Sequence, residues 1–443
     1  MSKVAVIGLW HLGPVVAAGL ASLGHEVRAT DPDPEILTGL QLGIQPVFEP
    51  GLAVALAREQ GNGRLKLVDS IAEAVGQAPE AVFLTFDTPV DDDDQSDLRP
   101  IQDAVDEVIR AAPPGVLVVV MSQVPVGTLA QLAARVERIA PQLGARFVYQ
   151  PENLRLGQAL ETFLKPDFLL VGAASPDDAG RIFEIYGAVK APCLTMSWES
   201  AELSKHSVNA FLATSVSFAN ELGDLAERVG ADVREVVRVL RHDRRIGARA
   251  FLDAGPGFSG GTLARDVQTL RRLGERAGLK TCQFDATLEV NRDRLPRLAE
   301  RVRAACGDLR GANVALFGLT YKPGTNTLRR SASLDFARLL RTAGARVHAH
   351  DPQVSRANAE TRGLELAANP YEAARGTHAA VLMTPWPEFR AIDFERLREA
   401  MARPAIVDAH NFLDRASAEA AGFAYFGVGL GETNSRSFEK AAP

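Results

Sequence analysis

The stretch VAVIGLWHLG, residues 4–13, followed by GHEVRATD, residues 24–31, decides the fold. Four apolar residues lead to Gly8, a helix-like stretch follows, and a second strand-like run ends at Asp31. Strand, tight turn, helix and strand in this order are typical of a parallel sheet covered by helices. We therefore predict a β-turn-α-β unit at the start of the chain.

The same pattern returns towards the other end, as VALFGL at residues 314–319 and GARVHAHD at residues 344–351. This echo predicts an α/β protein with two Rossmann-like, doubly wound parallel-sheet domains. Short apolar runs predict further strands at residues 81–85, 116–121, 147–149, 380–383 and 405–407.

The middle of the chain predicts helices. Residues 199–230 contain no proline, Gly223 is the one glycine before residue 230, and apolar residues recur at helical spacing. A glycine-rich loop at residues 255–262 precedes another helix near Asp266. We predict a front domain at residues 1–198, a helical domain at residues 199–300 and a rear domain at residues 301–443.

Composition limits the classes of function. A chain of 443 residues is too long for one ordinary core. A net charge of −6 argues against binding to nucleic acid or to an anionic membrane, and the acidic run at residues 91–94 is typical of a solvated loop. Three widely spaced cysteines favour neither a disulfide framework nor a metal site. Without a signal peptide or a spanning apolar run, we expect a cytoplasmic protein.

The front turn resembles a dinucleotide fingerprint. Gly8 and Gly13 occupy the first and third positions of G-x-G-x-x-G, and Asp31 follows roughly 20 residues later, where an acid binds the ribose of NAD. Trp10 stands at the middle position, where glycine lets the backbone approach the pyrophosphate. An indole there would crowd or redirect the phosphates. A domain that no longer binds a dinucleotide is the alternative, but the retained residues favour NAD.

Six motifs resemble, in order, those of the UDP-glucose and GDP-mannose dehydrogenase family. They are FEPGL (48–52), DTPVD (87–91), QPENLRLG (150–157), AELSKHSVNAFLATSVSFANE (201–221), GFSGGTLARD (257–266) and GLTYKPGTNTLRRS (318–331). The resemblance implies an NAD domain in front, a helical core that forms a homodimer, and a UDP-sugar-binding domain behind.

The same resemblance implies oxidation of a nucleotide hexose at C6, twice, with two NAD and a cysteine that captures the aldehyde. Glu152 matches the glutamate that activates water. Lys205 and Asn209, one turn apart on a helix, match groups that stabilise an oxyanion. Asp266 matches an aspartate that works with water. Taken alone, Lys205 and Asn209 would be interpreted as a solvated pair and Asp266 as an N-cap.

Binding residues also follow from the resemblance. For NAD they are Gly8, Trp10, Leu12, Gly13, Asp31, Thr88, Gln123 and Arg265. For the nucleotide sugar they are Glu152, Asn153, Leu154, Arg245, Phe258, Gly261, Lys322 and Arg329. In the family, the arginine matched by Arg245 reaches towards the partner subunit's sugar, and the loop resembled by residues 255–261 cradles the diphosphate.

Four positions depart from the family pattern. Thr262 occupies the cysteine position, Arg265 replaces a lysine, Gln123 a serine or threonine, and Trp10 a glycine. A threonine hydroxyl needs a dedicated base to act as a nucleophile. Our first hypothesis is therefore an enzyme that stops at the aldehyde or runs a redox-neutral reaction. The second is complete oxidation through the aldehyde hydrate, and the third is a non-catalytic nucleotide-sugar-binding protein.

Overall fold

The computed structural model describes residues 1–88, 96–259, 262–356 and 363–431. The acidic stretch 91–94 and Gly261 lie outside these ranges. The chain divides into two compact units, Met1–Ser207 and Val208–Pro443. The predicted division into three domains stays a prediction.

The first unit is built on one sheet. Its strands in the described residues are β1 (Lys3–Ile7), β2 (Glu26–Thr30), β3 (Leu65–Leu67), β4 (Ala81–Leu84), β5 (Leu117–Val120), β6 (Arg146–Tyr149), β7 (Leu169–Ala173) and β8 (Cys193–Met196). Their spatial order is β3-β2-β1-β4-β5-β6-β7-β8. All neighbours run parallel except β6 and β7. The order reverses at β1, which pairs with both β2 and β4.

Helices cover both faces of this sheet. They are α1 (Leu12–Ser22), α2 (Pro34–Gln41), α3 (Leu52–Gly61), α4 (Ile71–Val75), α5 (Arg99–Ala111), α6 (Thr128–Ile139), α7 (Ala159–Leu164) and α8 (Pro176–Ile185). Strand β1 shows why both faces are buried: Val4 and Val6 pack in one hydrophobic cluster, and Ala5 and Ile7 in another. Such strands have no polar alternation, because side chains on both faces are covered by helices.

Helix α9 (Trp198–Val229) confirms the long helix predicted for the middle of the chain. It begins in the first unit and ends in the second. None of the helices in the described ranges is both long and apolar enough to cross a lipid bilayer.

The second unit contains the other sheet. Its described strands are β9 (Asn313–Phe317), β10 (Arg346–His350), β11 (Glu365–Leu366), β12 (Ala379–Leu382), β13 (Ala405–Asp408) and β14 (Ala424–Gly427), in the order β11-β10-β9-β12-β13-β14. All pairs are parallel. Its helices are α10 (Val233–His242), α11 (Leu263–Arg276), α12 (Cys282–Cys306), α13 (Ala332–Thr342), α14 (Pro370–Ala373), α15 (Phe394–Ala400) and α16 (Arg415–Ala420).

The two sheets and the helical stretch confirm the predicted fold class. Helix α11 begins at Leu263 with Thr262 as its N-cap, so the interpretation of Asp266 as an N-cap is wrong. Asp266 lies in the first turn of the helix instead.

The turn between β1 and α1 depends on two glycines. Gly8 has a φ of 97°, in the left-handed region that favours glycine. A Cβ on Gly13 would lie 1.8 Å from the carbonyl oxygen of Gly8. The start of α1 therefore packs directly onto the end of β1, which leaves no room for a side chain.

We expect Gly13→Ala to lower the free energy of unfolding by about 2 kcal/mol or more, because backbone must move to admit the methyl group. The matched control is Gly180→Ala in α8, where a Cβ would meet nothing within 4 Å. That change should be neutral or stabilise by up to ~1 kcal/mol. Thermal and urea unfolding of both variants test this, and equal stability of the two variants would contradict it.

Candidate active site

The turn after β1 has the features of a dinucleotide site. The Asp31 carboxylate accepts hydrogen bonds from the backbone N–H of Leu9, and at 2.8 Å from that of Asp33. Burial raises the pKa of Asp31, and these two bonds act in the opposite direction. Because Asp31 is only half-buried, its carboxylate at the end of β2 is available to ribose hydroxyls.

The shape of the turn also fits NAD. The contact of Gly13 with Gly8 brings the first N–H groups of α1 to the sheet edge, where a pyrophosphate binds. Leu12 is buried, and the Trp10 side chain is 44% exposed. The expectation that Trp10 crowds the phosphates stays a prediction.

Two predicted cofactor residues contact each other on neighbouring loops. The Thr88 hydroxyl donates to the backbone oxygen of Gln123 at 2.8 Å. The Gln123 amide lies 3.5 Å from Nδ1 of His206, whose Nε2 lies 2.9 Å from the backbone oxygen of Val124. A carbonyl only accepts, so Nε2 carries the proton in its contact with Val124. His206 was not among the predicted residues, although it is adjacent to Lys205.

Glu152, Asn153, Leu154 and Lys205 form one cluster in the first unit. Lys205 is buried, and its Nζ donates to the backbone oxygen of Glu152 and, at 3.3 Å, to Oδ1 of Asn153. The same Nζ lies 3.9 Å from Oε1 of Glu152. The Glu152 carboxylate also accepts the N–H of Leu154 and is 26% exposed, so water can reach it. Burial of Lys205 shows that its interpretation as a solvated residue is wrong.

Asn209 and Asp266 are paired in the second unit. The Asn209 amide donates to Oδ2 of Asp266 at 2.5 Å, and Asp266 is fully buried. Asn209 is half-buried and hydrogen-bonded, so its solvated interpretation is also wrong. Thr262 is exposed at the start of α11, and its carbonyl accepts the N–H of Asp266 at 3.0 Å. Arg265 is half-buried in the first turn of the same helix.

The loop before α11 is held from α9 and α12 by polar side chains that were not predicted. Asn220 accepts the N–H of Gly255 at 2.8 Å. Asn291 binds both backbone groups of Phe258, at 2.8 and 3.0 Å. Arg294, whose side chain is 1% exposed, donates to the Gly255 oxygen at 3.3 Å and pairs with Asp224 at 2.8 Å. The available signal was polar residues about one turn apart on a helix, Asn220 with Asp224 and Asn291 with Arg294.

The remaining predicted substrate residues are more exposed. Lys322 is half-buried in the loop after β9, and Arg329 is exposed. The guanidinium of Arg245 is 89% exposed and pairs with Asp243 at 2.6 Å. In the part of the chain that the structure describes, no group of three or more His, Cys, Asp or Glu is placed to hold a metal ion.

Comparison with known proteins identifies the family of this chain. Profiles of the UDP-glucose/GDP-mannose dehydrogenase family match the NAD binding domain at residues 2–190, the central domain at residues 199–293 and the UDP binding domain at residues 315–415. The chain belongs to this family. It is an NAD-dependent oxidoreductase that acts on the CH–OH group of a nucleotide sugar.

The similarity to individual members of the family extends over nearly the full length of both chains. The UDP-glucose 6-dehydrogenase of Rhizobium meliloti (strain 1021) is 35% identical over 435 residues, 96% of this chain and 99% of that protein. The UDP-glucose 6-dehydrogenase of Pseudomonas aeruginosa is 35% identical over 452 residues, 96% of this chain and 97% of that protein. A UDP-glucose dehydrogenase structure from Pyrobaculum islandicum is 36% identical, with a TM-score of 0.87 over 97% of this chain and 98% of that one.

We expect Lys205→Met to lower kcat by about 10²- to 10³-fold, because the variant lacks the buried cation that the family resemblance assigns to an oxyanion. The Kd for NAD should change little. Lys190→Met, at an exposed lysine of the same unit, is the matched control. Steady-state kinetics and calorimetric titration with NAD separate the two effects. A Lys205→Met enzyme with more than about a tenth of the original kcat would contradict this role.

Proposed function

We propose that this enzyme is a UDP-glucose 6-dehydrogenase that converts UDP-glucose to UDP-glucuronate and forms two NADH per sugar. The observation that carries the proposal is the pairing of Lys205 with Glu152 and of Asn209 with Asp266. The full-length similarity to proteins named UDP-glucose 6-dehydrogenase supports the choice of sugar and of complete oxidation.

In this reaction, the residues of the chain have separate roles. NAD, when bound, supplies the hydride acceptor. The turn at Gly8–Gly13 and the Asp31 carboxylate would hold it. The Lys205 ammonium and the Asn209 amide stabilise negative charge on the C6 oxygen. Asp266 accepts the amide of Asn209 and thereby fixes its orientation.

Water replaces the thiol in the second oxidation. Glu152, partly exposed and 3.9 Å from the Lys205 ammonium, takes a proton from the water that adds to the aldehyde. The resulting hydrate loses a hydride and a proton and becomes the carboxylic acid. By the family resemblance Thr262 stands at the position of the cysteine, and a helix N-terminus such as that of α11 favours negative charge.

A second candidate function rests on Thr262 itself. Without a thiol, the aldehyde is not held covalently, and it can leave the enzyme or take back its hydride. The reaction would then yield the aldehyde with one NADH, or an isomer with none.

The stoichiometry decides between these candidates. We expect two NADH per UDP-glucose and a uronic acid product, measured by absorbance and mass spectrometry in the same reaction. Thr262→Val should still form the acid, because no covalent bond to the hydroxyl is required, and Thr262→Cys should leave the stoichiometry at two. Accumulated aldehyde with one NADH, converted to acid only by Thr262→Cys, would favour the second candidate.

We also propose a homodimer formed through α9. Phe211, Phe218 and Leu225 are 72%, 47% and 61% exposed. They are seven residues apart, so they lie on one face of the helix. Val239 of α10 is 68% exposed. A second copy of the chain is the partner that the family resemblance implies for this face.

We expect light scattering after gel filtration to show a dimer for the wild type and a monomer for Phe211→Glu, because the charge cannot be buried unpaired. Val54→Glu, at a residue of the first unit that is 72% exposed, is the matched control and should remain dimeric. A wild-type monomer, or a dimeric Phe211→Glu variant, would refute the proposal.

A further inference from the structure

His11 lies in the cofactor turn and is bound to a buried carboxylate. It is the N-cap residue of α1, between Trp10 and Leu12, and its side chain is 22% exposed. Its Nε2 lies 2.9 Å from Oε1 of Glu49. This contact leaves Nδ1 on the other side of the ring for a second partner.

Glu49 connects His11 to the loop that follows Glu152. The Glu49 side chain is fully buried and accepts the N–H groups of Gly157 at 2.9 Å and Ala159 at 3.1 Å. One carboxylate therefore joins the cofactor turn to the end of the QPENLRLG segment. A buried carboxylate with three donors is stable only while those donors remain in place.

The charges around His11 are acidic. They come from Glu49 before α3, Asp87 after β4 and Glu152 after β6. Burial raises the pKa of Glu49, but the bonds from His11, Gly157 and Ala159 outweigh burial and lower it, so Glu49 is ionised. Burial lowers the pKa of His11, but the hydrogen bond and charge of Glu49, with Asp87 and Glu152, outweigh it and raise this pKa.

A pyrophosphate at this turn meets two difficulties. Trp10 occupies the position where a glycine would let the backbone approach the phosphates. The carboxylates of Glu49, Asp87 and Glu152 repel an anion. A positively charged side chain at the start of α1 counters both effects. It attracts the phosphates without a close approach of the backbone, and it offsets the negative charge of the nearby carboxylates.

We propose that His11 is a cofactor-binding residue, and that its imidazolium, held by Glu49, contacts the pyrophosphate of NAD. The inference depends on NAD binding, which is a property of the family, and not on the sugar or the oxidation product. NAD affinity is then highest while His11 is protonated and declines as pH rises through its raised pKa. The stability that the His11–Glu49 pair contributes is likewise complete below the unfolded pKa of about 6.5 and is lost above the folded pKa.

Calorimetric titration with NAD between pH 6 and pH 9 tests the proposal. For the wild type we expect the Kd to rise roughly tenfold over this range, the scale of one charge-assisted hydrogen bond. His11→Gln should bind about tenfold more weakly at pH 6 and show no further weakening at higher pH. His11→Lys, which retains the charge, should bind tightly across the range.

The matched control is His242→Gln. His242 is exposed on α10, and its ring bonds to the backbone oxygen of Arg238, so the variant should keep the wild-type pH profile. Thermal unfolding of each variant in NAD-free buffer shows whether it is folded.

An NMR titration of the histidine Cε1–H signals provides a readout without cofactor. Glu49→Gln should lower the pKa of His11, and NAD should raise it in the wild type. A wild-type Kd that does not change with pH, or a His11→Gln variant with the wild-type profile, would overturn the proposal. Neither outcome depends on whether the enzyme makes acid or aldehyde.

Discussion

The close packing of α1 onto the end of β1 is the constraint on which the cofactor half of the molecule depends. A Cβ on Gly13 would lie 1.8 Å from the Gly8 oxygen, so glycine alone permits this approach. The packing brings unpaired N–H groups to the sheet edge at the point where the strand order reverses. It also places the N–H of Leu9 against Asp31. The anion site and the ribose acid therefore arise from one backbone contact.

The second sheet repeats the strand topology of the first, but the acid at its equivalent turn is already hydrogen-bonded within the protein. Gly318 also has a left-handed φ, of 86°, and Asp351 ends the second strand as Asp31 does. Asp351, however, is buried, and one of its oxygens accepts the N–H groups of Leu319 and Thr320 and the indole of Trp386. An acid used in this way supports its own loop, so the two sheets serve different ligands despite their common pattern.

Sequence patterns predicted the features that depend on local chemistry. Most buried strands were visible as apolar runs, and α9 as a long stretch without breakers, but the buried strand β7 was missed. Strands β3 and β8 were missed because β3 has three residues with an exposed lysine, and β8 lies mostly exposed at the sheet edge. Motifs predicted Glu152 and Lys205 as site residues; the structure shows that the two contact each other, and their catalytic roles stay predictions. Asn291 and Arg294 were missed because their partners in the Gly255–Phe258 loop are distant in sequence, and only packing shows that they meet.

Two free energies decide whether Thr262, at the start of α11, can act as a nucleophile. A thiol ionises near pH 8.5, whereas a hydroxyl resembles water and ionises about seven pKa units higher, a difference of ~10 kcal/mol. A helix N-terminus stabilises an adjacent negative charge by at most ~2 kcal/mol. The helix therefore cannot convert Thr262 into a nucleophile of the strength of a cysteine. It can stabilise an oxyanion only after a separate general base has generated it.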